Sequence, residues 1–126
     1  MGNPFVHVEL MTTDVAKAKE FYGGLFDWKL EDIPGMDYTM INVGEGTGGG
    51  MMKTVQPDSS SCWMAYVQVD DIAVATLKAR SLGGTICKDV TEISGVGWFS
   101  VITDPTGATL ALWQMNPDYQ KSAACA

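Results

Sequence analysis

The chain has 126 residues, with 15 acidic and 8 basic side chains and a formal net charge of −7. That length fits one domain, and 46% apolar with 18% charged residues is the composition of a chain with a core, not of a disordered one. The acidity excludes a nucleic-acid backbone and an anionic membrane surface as partners, because both need clustered Lys and Arg. A cationic or neutral small molecule stays compatible.

Phe5-Val6-His7-Val8-Glu9-Leu10 alternates and is rich in β-formers, so it reads as a strand. Thr12-Thr13-Asp14 offers a helix N-cap. Val15, Ala18, Tyr22 and Leu25 then form an apolar helical face. Gly23-Gly24 weakens its end. Residues 26–30 read as a second strand, 33–36 as a turn and 38–43 as a third strand. Gly44 to Gly50 reads as a glycine-rich turn and 51–55 as a fourth strand. Pro57 to Ser61 is the best linker in the chain.

The same order then recurs. Residues 63–69 read as a strand, Asp71 as an N-cap, and Ile72, Ala75, Ala79 and Leu82 as a second apolar helical face. Gly83-Gly84 marks the helix end. Strands follow at 85–90, 98–103 and 109–113, with Gly95-Val96-Gly97 mirroring Pro34-Gly35-Met36 and a tight turn at Asp104-Pro105-Thr106-Gly107. Residues 116–126 read as a tail. The helices match at an offset of 57 (Asp14 with Asp71, Val15 with Ile72) and the third strands at 60. The pattern is βαβββ twice, so the expected fold is α+β: one domain over 1–126, with unit one at about 4–56, a linker at about 57–61 and unit two at about 62–115. The two units are expected to form a curved mixed sheet around a cleft, helices outside.

The N-terminal residues lack the basic flank and long apolar run of a signal peptide, and no stretch approaches the ~18 apolar residues of a membrane span. Cys62, Cys87 and Cys125 are an odd set without a CxxC pair, which favours reduced thiols in a cytoplasm. Neither Cys62 nor Cys125 has a sequence-local base or basic partner, so neither reads as a nucleophile. Gly44 to Gly49 fits GxGxxG formally, but no helix can follow before Pro57, so it reads as a hairpin rather than a dinucleotide loop.

His7-Val8-Glu9-Leu10 with Asp14, Ala18-Lys19-Glu20-Phe21-Tyr22 with Leu25-Phe26-Asp27-Trp28, Val69-Asp70-Asp71, Leu82-Gly83-Gly84 and Asp104-Pro105-Thr106-Gly107-Ala108 occur in order and in duplicate. In this the chain resembles the vicinal oxygen chelate superfamily of glyoxalase I, extradiol dioxygenases and bleomycin-resistance proteins. The resemblance implies one divalent ion held by a residue from the first and last strand of each unit. Carried onto this chain, those positions are His7, Met51, Met64 and Ala111. Only His7 is a ligand for Zn²⁺, Ni²⁺ or Fe²⁺; a thioether and a methyl are not. The expectation is therefore no metal and no other cofactor. The resemblance also makes a homodimer a candidate assembly.

His7 and Glu9 share one face of their strand. They are the candidate catalytic pair, His7 as hydrogen-bond partner or general base and Glu9 as its orienter; the bland alternative is a polar pair on a sheet surface. Alternation adds Met64, Tyr66 and Gln68 from one strand and Ala111 and Trp113 from another, and Met51 joins them. This set suits a small-molecule pocket and equally a second core or a dimer interface, with Met as adaptable filler. The resulting reading is a metal-independent small-molecule binder with no assigned reaction. The alternatives are a metal-dependent lyase, isomerase or dioxygenase-like enzyme using His7, a drug-sequestering protein similar to bleomycin-resistance proteins, or an interaction module.

Overall fold

The computed structural model describes residues 2–54 and 60–118. Most of the expected linker, the tail beyond residue 118 and Cys125 lie outside the described residues. Ten elements follow in order: β1 (Phe5–Thr12), α1 (Val15–Leu25), β2 (Lys29–Asp32), β3 (Thr39–Asn42), β4 (Gly49–Lys53), β5 (Cys62–Gln68), α2 (Ile72–Ser81), β6 (Thr85–Ile93), β7 (Gly97–Thr103) and β8 (Thr109–Met115). They fall into two compact units. One is Val6–Ala65; the other is Tyr66–Ala126 together with Met1–Phe5. The chain passes from one to the other within β5.

The N-terminal unit has strand order β2-β3-β4-β1, antiparallel except for the parallel β4–β1 pair. The C-terminal unit repeats it as β6-β7-β8-β5, again with only the last pair parallel. The α+β class and the duplicated βαβββ order are therefore those expected from the sequence. Both helices start the same way. The Asp14 carboxylate accepts from the Lys17 N–H at 3.0 Å, and Asp71 accepts from the Val74 N–H at 3.2 Å, each satisfying a donor that the first helical turn leaves open.

The helix ends differ. Gly83, at φ 98°, closes α2 with Gly84 N–H on Ala79 O (2.9 Å) and Gly83 N–H on Arg80 O (3.1 Å), the Schellman arrangement. Gly23 and Gly24 instead lie inside α1, which runs on to Leu25 and ends at extended Phe26. The expected strand at 26–30 consequently begins only at Lys29.

Each helix packs on one face of its own sheet. Leu10, Ile41 and Met51 form the core under α1, with Val15, Ala18 and Tyr22 against them. The outermost residue of each expected helical face, Leu25 and Leu82, stays 57% and 69% exposed, because both sit at or past the last turn, where the sheet no longer faces the helix. Under α2 the buried contact includes a polar pair. Thr76 Oγ1 donates to Ile72 O (2.6 Å) and takes a hydrogen bond from Ser100 Oγ (2.9 Å), so neither hydroxyl is stranded.

β4 begins two residues earlier than expected. Gly49 and Gly50 are not turn residues: they pair with Val8 and Glu9 on β1. A Cβ on Gly49 would run into the Val8 carbonyl, so close strand approach, not turn geometry, requires glycine there. Among the described residues no helix is long and apolar enough to cross a membrane.

Candidate functional site

Strand register sorts the N-terminal unit into two faces. In the parallel β1–β4 pair Leu10 lies beside Met51 and Glu9 beside Gly50. Side chains alternate along a strand. Leu10 and Met51 thus share the α1 face, while His7, Glu9 and Gly50 share the opposite one. Met40, opposite Gly50 on β3, belongs to that second face, as does Tyr38 two residues before it.

There Tyr38 joins His7 to Glu9. Its hydroxyl donates to Glu9 Oε1 at 2.9 Å and stands 2.7 Å from His7 Nε2. The rings of His7 and Tyr38 are roughly parallel, 22° apart in plane and 6.3 Å between centroids. A phenol has one proton. With that proton on Glu9, the Nε2 of His7 is the donor to the Tyr38 oxygen, and Nδ1 carries the basic lone pair. Burial pushes the His7 pKa below its ordinary value by penalising the charged ring. Glu9 is only 6% exposed, and the Tyr38 hydrogen bond compensates an acceptor that would be costly to bury alone.

Gly50 makes this possible. A Cβ built there would overlap the Tyr38 phenol, so the ring occupies the space of the missing side chain. Tyr38 was not among the sequence candidates. It reads as the first residue of an expected strand, and the available signal was its position two residues before Met40, on the strand paired with glycine-rich β4.

The expectation for Met51 is corrected. It is fully buried beneath α1 with Leu10 and Ile41, away from His7 and Glu9. The cause is phase. Tyr66, the counterpart of Glu9 at the offset of 57, pairs with Ala111, whereas Glu9 pairs with Gly50. The last strands therefore correspond at an offset of 61, not 60, and one residue flips every side chain to the other face.

In the C-terminal unit Tyr66 lies beside Ala111, and Gln68 beside Trp113. Across β7, Val101 faces Ala111 and Phe99 faces Trp113. These six share one face, and Val67, Leu112 and Ser100 share the face with α2. Tyr66 and Phe99 are in ring contact, with centroids 6.5 Å apart. At the offsets of 57 and 61 they are the counterparts of Glu9 and Tyr38. One unit carries a polar pair where the other carries an aromatic one. Met64, the counterpart of His7, is buried on β5.

The donor set does not fit the divalent ion that the family resemblance implies. Beside His7 the corresponding positions carry Gly50, Met64 and Ala111, none of which offers imidazole or carboxylate. Among the described residues no group of three or more His, Cys, Asp or Glu side chains could hold a metal ion. Cys62 and Cys87 are free and exposed.

Residues 4–44 match a family model described as bleomycin resistance protein-like, N-terminal. The curated protein CFP32 of Mycobacterium tuberculosis, a glyoxylase by name, is 37% identical over 117 residues, covering 86% of this chain and 44% of that protein. DnrV of Streptomyces peucetius, an anthracycline biosynthesis protein, is 26% identical over 127 residues, covering 84% of this chain and 45% of that protein. The chain thus spans less than half the length of these relatives. Among solved structures, methylmalonyl-CoA epimerase from Mycobacterium tuberculosis aligns at TM-score 0.67 and 17% identity, over 97% of this chain and 91% of that one. The Bacillus halodurans protein BH1468 aligns at TM-score 0.68 and 14% identity, over 92% and 96%. These structures share the fold.

Proposed function

Since the chain belongs to the vicinal oxygen chelate superfamily of glyoxalases and bleomycin-resistance proteins, we propose that it is a small-molecule-binding domain that works without a divalent metal. One observation carries the reading. The residue at the first ligand position, His7, is committed to a hydrogen-bonded relay with Tyr38 and Glu9, and the remaining positions hold no metal-binding side chain. In place of an ion the N-terminal unit offers a neutral imidazole, a phenol and a carboxylate, which orient a polar or cationic group. Taken by itself, the C-terminal unit carries Tyr66, Gln68, Ala111 and Trp113 on one sheet face, an aromatic surface with one amide. Free Cys62 and Cys87 accord with a reducing cytoplasm.

The anthracycline biosynthesis relative makes a planar polyketide amine, such as an anthracycline, the first probe. Calorimetric titration of metal-analysed protein tests the proposal. Expected are saturable binding without stoichiometric metal and about tenfold weaker binding in Tyr38→Phe. Stoichiometric divalent metal that disappears in His7→Ala overturns it.

A second reading rests on the same relay. A neutral, half-buried His7 held by Tyr38 is a competent general base without metal, which would let the domain move a proton on its ligand. Solvent deuterium entering a bound ligand in wild type and not in His7→Gln supports that; no exchange in either rejects it.

A further inference from the structure

We infer that the N-terminal unit carries a second small-molecule site, separate from the His7 relay, that takes an uncharged planar aromatic molecule in the corner that Trp28 and Trp63 form with the sheet. A cavity of about 260 Å³ opens there. Val8, Ile41 and Val43 form its aliphatic side, and the backbone of Gly48 and Gly49 forms a bare stretch beside them. Val8 and Ile41 flank Gly49 in register, which puts the cavity on the α1 face, across the sheet from His7 and Glu9.

The two indoles make a corner, with centroids 6.2 Å apart and planes 77° to each other. A planar guest can stack on one while meeting the edge of the other, the two geometries aromatic rings prefer. The walls are held in place from behind. Tyr22 stacks on Trp28 (5.7 Å, 24°) and meets Trp63 edge-on (5.4 Å, 79°), and Phe26 packs on Trp28 at 4.7 Å. Ordering the walls in advance removes much of the entropy cost of binding. Trp63 nonetheless remains 40% exposed, so the corner is open to solvent.

Chemistry and size select the occupant. Among the described residues the lining contains no charged side chain, and Thr47 supplies its one side-chain hydroxyl. An ion buried there would find no counter-charge. The volume falls just below the ~300–1,000 Å³ of drug-sized pockets, which suits two or three fused rings. A second protein copy would need roughly 800 Å² per partner, more than this corner offers.

The test uses 2-naphthol, uncharged at neutral pH, with protein labelled with 5-fluorotryptophan. The chain has four tryptophans, at 28, 63, 98 and 113, giving four ¹⁹F resonances assignable by single Trp→Phe variants. Saturable one-to-one shifts of Trp28 and Trp63 are expected, about tenfold weaker in Trp63→Ala. Val43→Phe, which fills the cavity, should abolish them with the far-UV spectrum intact; should that variant unfold, Trp63→Ala decides. Shifts confined to Trp98 and Trp113, or non-saturable shifts, overturn the inference and leave the His7 reading standing. A dimer in sedimentation velocity that Trp63→Ala dissociates also overturns it, since the corner would then hold a second copy.

Discussion

The phenol of Tyr38 fills the space that a side chain at Gly50 would need. Gly50→Ala should therefore push the ring away and break its hydrogen bonds to His7 and Glu9, costing about 1–3 kcal/mol. Gly49→Ala should cost more, because its Cβ meets the Val8 backbone, which cannot rotate aside. Urea unfolding of both variants gives the order, and the His7 imidazole ¹⁵N shifts report whether Tyr38 has left.

Burial lowers the His7 pKa in the folded state. The unfolded chain then takes up the proton first as pH falls. Stability from this group is complete above the unfolded value of about 6.5 and is lost as pH drops from there toward the folded pKa. The difference in urea midpoint between wild type and His7→Gln should shrink over that window. A difference constant from pH 7.5 to 5 would show that His7 titrates alike in both states.

Met51 lies in the core with Leu10 and Ile41. Met51→Ala should destabilise by about 2–5 kcal/mol and, in protein that remains folded, leave affinity for a ligand at the His7 face unchanged. Tyr38→Phe should do the reverse, weakening binding with a smaller loss of stability. Thermal melts paired with titrations separate the two.

Asp14 and Asp71 each accept a hydrogen bond from the third residue of their helix. Asp14→Ala and Asp71→Ala should each cost about 1 kcal/mol. Asn at either position should recover most of it, since the amide oxygen can still accept. Denaturant midpoints with unchanged slopes would check both.

The duplicated order and the helix starts are legible in the sequence because they depend on local chemistry: a capping carboxylate, a 3.6-residue apolar period, a glycine past the helix end. The turns at Gly35 and Gly95, both with φ 78°, match for the same reason. The site is less legible. Gly49 and Gly50 have no side chains, so β4 shows no alternation from which to read its phase, and Met51 falls on the wrong face by one residue. Tyr38 is missed because its role comes from its ring lying over Gly50 on the neighbouring strand, a contact between segments that no local pattern marks. Thr76 is missed because hydroxyls do not count toward an apolar face, although a buried Ser100 completes it.

The placement of Tyr38 also bears on what sequence change can reach. Gly50 is the position from which the last strand of this half would extend a metal ligand, and a ring already stands there. A Glu or His arriving at position 50 would first collide with the tyrosine, and a tyrosine lost beforehand would leave Glu9 without the phenol's hydrogen bond. Either single step passes through a damaged intermediate, so a metal-binding side chain at position 50 requires both changes together, and Met64 and Ala111 would still offer no ligand at the other two positions.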